Sequence, residues 1–434
     1  MKMERRQVST IEELQAAATD ADVQQIVIAM PLDGVPSVRL SPGQALTGFD
    51  AQSALRFAAG SDGLELSAGN RVEGLELVTD PNKRAVFNDT SVEHLGRLEL
   101  RDLTVTGVVW LLARDRVRRG HVEAHNIDIL AADARGYEER PKGCGVEVVP
   151  GGFTLWNQHD DPAITITADL TGLSAGRAGA PVHGSGIFVS GSGDKGGRMV
   201  VRRLETGAIY GEGGIAAGTP DRISGGVFVV QGAFVDLVRN RGPVTTYGPN
   251  DMVLDNWGTV DRWVADDKVT SFGPSGIGFV NFGIIDRLEV KSPIETFGQG
   301  ARGFNVYTGT VSSAEFDRIV THADGAVGIQ ISQPVGEVSV RRGIETYGGT
   351  GDSLVKGVVV KLAATALSIK PGGSARQIEV AGGLLANGEG VDPIELHGPV
   401  RSLHIGQSFS GGGVRNSGEL EGGGLRHREG KRSF

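Results

Sequence analysis

The chain has 434 residues, 67 of them Gly but only 17 Pro, with 22% charged residues, one Cys and a formal net charge of −9. The acidic balance excludes nucleic acid and anionic membranes as general partners. The lone Cys144 excludes a disulfide framework or a Cys-based zinc site, and Gly without a three-residue period excludes collagen.

Taken from the start, Met1–Gln7 has no apolar targeting core, and no later apolar run is long enough to span a bilayer. The expectation is cytoplasmic residence, or export without a cleaved signal. Thr10-Ile11-Glu12-Glu13 is a capping box that opens a short amphipathic helix through about Ala18. Residues 1–22 are read as an N-terminal segment whose helix covers the end of a sheet, since a bare edge strand invites pairing with another chain. Val23–Ile28 and Val38–Gly48 read as strands, and from Ala54 to Leu130 short apolar strands follow one another at no clean period. Residues 131–222 are interrupted by charged, polar and Gly-rich stretches that read as long loops, among them His159-Asp160-Asp161.

Between Val244 and Gly398 one phrase returns every 25 residues: Val244-Thr245-Thr246-Tyr247-Gly248, then the equivalents beginning at Val269, Ile294, Ile319, Ile344, Ile369 and Ile394. A fixed period of this length marks a repeat array, and an alternating phrase closed by Gly reads as a short strand and a turn. Stacked at the ordinary strand spacing of about 4.8 Å, such units form the coils of a parallel β-helix. Residues 23–409 are therefore expected to be one all-β, single-stranded parallel β-helix solenoid with coils of about 25 residues, regular over 244–398. Residues 410–434, Gly-rich and basic, are expected to be disordered.

Alignment at the period predicts columns. Val244, Val269, Ile294, Ile319, Ile344, Ile369 and Ile394 point inward, followed by a hydroxyl ladder of Thr246, Ser271, Thr296, Thr321 and Thr346 bonding rung to rung. Glu345, Lys370 and Glu395 form a surface charge ladder, and Tyr247, Phe272, Phe297, His322 and Tyr347 an outer aromatic column. On a second strand Leu254, Phe279, Phe304, Ile329 and Leu354 point inward, with Asn256 and Asn281 as a short amide ladder. Outside lie Asp255, Val280, Asn305, Gln330 and Val355, flanked by Trp257, Phe282 and Tyr307.

Aromatics beside amides and acids on an outer wall suit either a covering loop or subunit, or a sugar platform whose ring faces meet pyranose C–H groups. Asp251 and Asp255 are the candidate catalytic pair, as acid and nucleophile or base. Trp257, Asp266, Asp267, Phe282, Asn305, Tyr307 and Gln330 are the candidate substrate contacts. The competing reading of the acids is turn chemistry. No metal or other cofactor is expected; Ca²⁺ is the ion such carboxylates would suit, and no ligand motif supports it. His121 and His125 lie about 13 Å apart along a strand, too far to share an ion, and Cys144 reads as a small core residue.

The cap helix, Gly-punctuated coils and stacked apolar, hydroxyl and Asn columns resemble the right-handed parallel β-helix, or pectin-lyase-like, superfamily over roughly Val23 to Phe409. The resemblance implies activity on polysaccharides along an outer groove. Asp266-Asp267 matches one galacturonan-hydrolase motif, Asn250-Asp251 approximates a second and Ser368-Ile369-Lys370 half-matches a third, while Gly-His-Gly is absent. The functional expectation is a carbohydrate-active β-helix, a polysaccharide or oligosaccharide hydrolase, lyase or transferase. The alternative is a non-catalytic β-helix that binds glycan or self-associates as a dimer or trimer.

Overall fold

In the computed structural model, residues 4–355, 357–406, 408–410 and 415–416 are described. They are almost entirely β-strand, joined in long parallel pairings consistent with a β-helix solenoid, with one helix among them. No helix among the described residues is long and apolar enough to cross a membrane. The chain divides into two compact units. One comprises Met1–Pro141, Val149–Glu212 and Val227–Arg239; the other comprises Lys142–Val148, Gly213–Gly226 and Asn240–Phe434.

In the first unit the helix spans Ile11–Thr19 and is capped as its sequence dictates. The Glu13 amide donates to Thr10 Oγ1 at 3.2 Å, and the Thr10 amide donates back to Glu13 Oε2 at 3.2 Å. Leu14, Ala17 and Ala18 form its buried face. A strand that the sequence pattern did not reveal, Glu4–Val8, precedes the helix and pairs in parallel with Val23–Ile28. Its polar sequence, ERRQV, carries no apolar alternation, because four of its five residues stay at least partly exposed. The rungs here are of uneven length: Leu98 lies beside Val122, and Val122 beside Ala168.

In the second unit the phrase strands stack in register, Val244 on Val269, Ile294, Ile319 and Ile344, all at most 1% exposed. Beyond Ile344 the sequence period and the structure part. A hairpin, Thr350–Val355 against Val358–Ala363, is inserted, so Ile344 pairs with Leu384 rather than with Ile369. Ile369 and Ile394 instead belong to the other face: Ile369 pairs with Ile331 and Leu396, and Ile394 with Leu367. Leu367 and Ser368 therefore take the column places assigned above to Leu354 and Val355, which lie in the hairpin. The Glu345–Lys370–Glu395 ladder is broken for the same reason. Glu345 binds Arg318 at 2.6 Å, and Lys370 binds Glu395 at 2.7 Å.

The hydroxyls also behave differently from the expected ladder. Thr246 Oγ1 donates to the Asp251 carbonyl at 3.5 Å and Thr321 Oγ1 to that of Ala326 at 2.7 Å, closing turns, while Thr346 Oγ1 donates to the Ala364 carbonyl across the hairpin and, at 3.4 Å, to that of Leu385 on the next rung. The amide ladder does form: Asn256 Nδ2 donates to Asn281 Oδ1 at 2.8 Å. Most of residues 410–434 fall outside the described residues. Within that stretch Arg415–Asn416 pairs in parallel with Glu395–Leu396.

Two turn positions explain part of the glycine content. Asn250, Ser275, Gly300 and Gly325 occupy one place in successive coils, all with left-handed φ of 57° to 69°. Asn and Gly tolerate that conformation best. Gly273 faces a steric limit instead: a Cβ there would lie 1.8 Å from the Gly248 carbonyl oxygen, whereas one at Gly349 would meet nothing closer than 3.4 Å. Gly273→Ala is expected to destabilise the protein by about 1–3 kcal/mol, and Gly349→Ala to change stability by less than about 0.5 kcal/mol. Urea unfolding of the two variants checks this; equal midpoints would contradict the close approach.

Candidate functional site

The wall of the second unit is built on four strands: Asp251–Asn256, Ile277–Asn281, Arg302–Val306 and Val327–Ile331. Cross-strand register places Asp255, Val280, Asn305, Gln330 and Ser368 in one column. Phe279 and Phe304 point inward, Phe279 meeting Trp263 at 5.0 Å between ring centroids and Phe304 meeting Phe316 at 4.8 Å. The Asp255 column alternates with them and lies on the opposite face, as the sequence indicates.

That face is covered. Asp251, Asp255 and Asn305 are 0% exposed, Gln330 3%, Trp257 4% and Tyr307 6%, with Phe282 half-buried. Of the two readings of this wall, the burial matches the covering segment and not the open sugar platform. A cavity of 60 Å³ remains over Phe282 and Tyr307, walled on its far side by Val146, Pro220, Ile223, Leu354 and Gly357. The covering segments are thus 142–148, 213–226 and the hairpin. Cys144 also lines this cavity and is exposed, so it is not the core residue expected.

The two candidate catalytic carboxylates have different surroundings. Asp251 accepts hydrogen bonds from the Gly248 amide at 2.7 Å, the Gly213 amide at 3.1 Å and Ser224 Oγ at 2.6 Å. A carboxylate saturated by such donors organises turns, and it has no solvent path to a substrate. Neither Asp255 oxygen meets a donor in hydrogen-bonding geometry. Burial pushes the Asp255 carboxyl well above the usual carboxylate range, and the Trp257 indole pulls the other way. Asp266 and Asp267 are not brought to this wall. They lie in the turn after Thr259–Ala265, where Asp266 binds Lys291 at 3.1 Å and Asp267 accepts from the Lys268 amide at 2.7 Å.

The other aromatic column is open. Tyr247, Phe272, Phe297, His322 and Tyr347 stack at centroid separations of 4.5–5.6 Å with interplanar angles of 5–12°. Phe272, Phe297 and Tyr347 are exposed, and Glu295 and Glu345 hold the polar atoms of His322 and Tyr347 at 2.8 Å. Because each ring covers its neighbour's face, the column offers solvent mainly edges. A sugar needs a free ring face, so this column is a stability device, with each stacked pair contributing about 0.5–1.5 kcal/mol.

In the first unit, sequence reasoning missed a polar face. Glu99, Glu123 and Asp169 sit side by side on three successive strands. Arg101 Nη2 binds Glu99 at 3.1 Å and Glu123 at 3.0 Å, Arg97 binds Glu123 at 2.6 Å, and Arg202 and Arg203 bind Asp169. Burial alone would raise Glu123 and Asp169, but these partners outweigh it and hold both below the usual carboxylate range. Such groups stay ionised and serve as acceptors rather than general acids. The overlooked signal is a shared five-residue pattern, a carboxylate flanked two residues away by basic or hydroxyl side chains: Arg97…Arg101, His121…His125 and Thr167…Thr171. Its copies lie 24 and 46 residues apart, so no single period exposes it.

Beside this face lies an open groove of 650 Å³, walled by Arg5, Gln25, Thr47, Arg71, Glu73 and Glu76 among others. Arg71 lies beside Glu99 on the next strand. Among the described residues, no cluster of three or more His, Cys, Asp or Glu could hold a metal ion. No family model, no curated protein and no solved structure matches this chain.

The burial of Asp255 has a pH signature. Its folded carboxyl keeps its proton above the unfolded value of about 3.9, so the unfolded state binds fewer protons and stability falls as pH rises through that value. Asp255→Asn removes this loss. The variant is expected to melt a few degrees above the wild type near pH 7 and to lose that advantage near pH 4. Thermal melts at the two pH values decide; a gain of equal size at both would show that ionisation of Asp255 is not the cause.

Proposed function

We propose that the chain is a carbohydrate-binding β-helix whose ligand lies along the outer face of the first unit. The observation that carries this reading is the 650 Å³ groove bearing donors and acceptors of both signs. Its volume is in the range of sites that hold small organic ligands. Guanidinium, amide, hydroxyl and carboxylate groups alternate along it, a lining suited to a neutral, hydroxyl-rich oligosaccharide. A strongly charged polymer would meet repulsion from one sign or the other. The row of Glu99, Glu123 and Asp169 extends the acceptor surface.

Binding is favoured over hydrolysis because Asp251 and Asp255, the pair best placed by sequence, are both fully buried, and a general acid must reach the bond it protonates. We infer further that the fold is the right-handed parallel β-helix of the pectin-lyase-like kind. The Asn256–Asn281 ladder, the helix Ile11–Thr19 and the 25-residue spacing of Val244 and Val269 support this.

The test is retention of the protein on insoluble neutral and acidic polysaccharides, with the double variant Arg71→Ala/Glu73→Gln beside the wild type. These side chains lie 3.7 Å apart and are partly exposed, so the variant is expected to fold. The wild type is expected to be retained by a neutral polysaccharide with little dependence on salt. The variant should bind at least about tenfold more weakly, as loss of one hydrogen bond to a charged group implies. No retention on any polysaccharide, or undiminished retention of the variant, would sink the reading. Release of reducing ends by the wild type that Asp255→Asn abolishes would restore the hydrolytic one.

A further inference from the structure

The polar face of the first unit carries more than ion pairs. On the strand Arg119–Ala131 the side chains of Arg119, His121, Glu123 and His125 stay at least partly exposed, while Val122 and Ala124 are buried. Register sets Thr167 and Thr171, on the strand Thr165–Ala175, directly beside His121 and His125. His121 Nδ1 lies 2.7 Å from Thr167 Oγ1, and its Nε2 lies 3.2 Å from Glu123 Oε1. An ionised carboxylate only accepts, so Nε2 carries the ring proton and donates to Glu123. Nδ1 keeps its lone pair, and the Thr167 hydroxyl donates to it in preference to the Gly120 carbonyl at 3.4 Å. Arg97, the strand neighbour of His121, holds Glu123 in place at 2.6 Å.

A hydroxyl, an imidazole and a carboxylate thus stand in hydrogen-bonded series, the arrangement that activates a weak nucleophile. The series is open to solutes, since the His121 side chain is 36% exposed and Thr167 is half-buried. Val200, the neighbour of Thr167 on the following strand, offers an apolar contact beside it. Thr165 shares the face of Thr167 and is flanked by Arg119 and Arg198. Two residues along a strand span about 7 Å, so both guanidinium groups can reach over Thr167. Among the described residues neither is held by a carboxylate, and Arg198 lies over the Phe234 ring. The next pair along the face provides a contrast. His125 Nδ1 also meets Thr171 Oγ1, but its strand neighbour is Arg101, and among the described residues no carboxylate pairs with it.

We propose that this face hydrolyses short acyl esters, with Thr167 as nucleophile, His121 as general base and acid, and Glu123 as the residue that positions His121. Thr167 Oγ1 attacks the ester carbonyl carbon and gives its proton to His121 Nδ1. The carbonyl oxygen, now negative, is stabilised by Arg119 and Arg198, and a short acyl chain rests on Val200. As the intermediate collapses, the bond to the alcohol oxygen breaks and His121 returns the proton to the leaving alcohol. Water then attacks the acyl-threonine, again through His121, which hands the proton to Thr167 Oγ1 as the carboxylic acid departs. Ester and water become acid and alcohol, with no other reactant. The proposal does not rest on the carbohydrate reading, because an ester of any soluble alcohol suffices.

The experiment is hydrolysis of p-nitrophenyl acetate by the full chain, with free imidazole at equal concentration as the background. Circular dichroism confirms that each variant folds. The wild type is expected to exceed the background, and Thr167→Val and His121→Gln to lose at least about a hundredfold of its rate. Thr167→Ser keeps the hydroxyl and should keep most of the activity. Glu123→Gln should lower kcat with KM unchanged, as loss of a positioning residue requires. The contrast variant, Thr171→Val with His125→Gln, removes an equivalent pair without the carboxylate and should hydrolyse the ester as the wild type does. The proposal fails if the wild type matches imidazole, if Thr167→Val keeps its rate, or if the contrast variant loses as much as Thr167→Val.

Discussion

Register between parallel rungs is the constraint on which the rest of this structure depends. A residue on one strand lies about 4.8 Å from the residues at the same place on the strands before and after it. Each position is thus a column, and every column must tolerate its own contents as neighbours. Aliphatics satisfy this by packing, as Val244, Val269, Ile294, Ile319 and Ile344 do. Amides satisfy it by pairing donor with acceptor, as Asn256 does with Asn281. Rings satisfy it by stacking, from Tyr247 to Tyr347. Carboxylates cannot do so unaided, and this is why Glu99, Glu123 and Asp169 are laced with arginines.

The same constraint determines what was readable in the sequence. Where coils keep one length, a column appears as a period, and the inward aliphatics, the inward Phe279 and Phe304 and the open aromatic column all follow from it. The capping box was legible for a different reason, since Thr10 and Glu13 interact within one turn and need no distant partner. The period cannot register an insertion. The hairpin after Thr346 shifts the phrase by fifteen residues against the structure, and Ile369 and Ile394 keep the rhythm while changing face. Their agreement with the 25-residue spacing was coincidental, and alternation alone could not detect this.

The candidate site was legible in part. Alternation correctly placed Asp255, Asn305, Trp257 and Tyr307 on the face opposite Phe279, yet facing away from the core is not the same as facing water. What covers them comes from segments 142–148 and 213–226, which precede the repeat, and from the hairpin inserted within it. Burial by a distant segment leaves no local signature. The charged face of the first unit was missed for the converse reason. Its residues look like ordinary surface polarity until uneven coils are brought into register.

The unpaired atoms of the covered wall show how these two effects combine. A solenoid can offer a buried polar group partners from its own column or from whatever lies over it. The column fails Asp255, whose neighbour is Val280, and fails Arg302, whose neighbours are Ile277 and Val327. The cover supplies Arg302 with one neutral hydroxyl and Asp255 with none. For Asp255 the inexpensive remedy is protonation, which removes the charge and needs nothing further from its surroundings. Arginine has no such remedy, because it does not give up its proton. Of the two defects in one wall, only the one at Asp255 can therefore be relieved by taking up a proton.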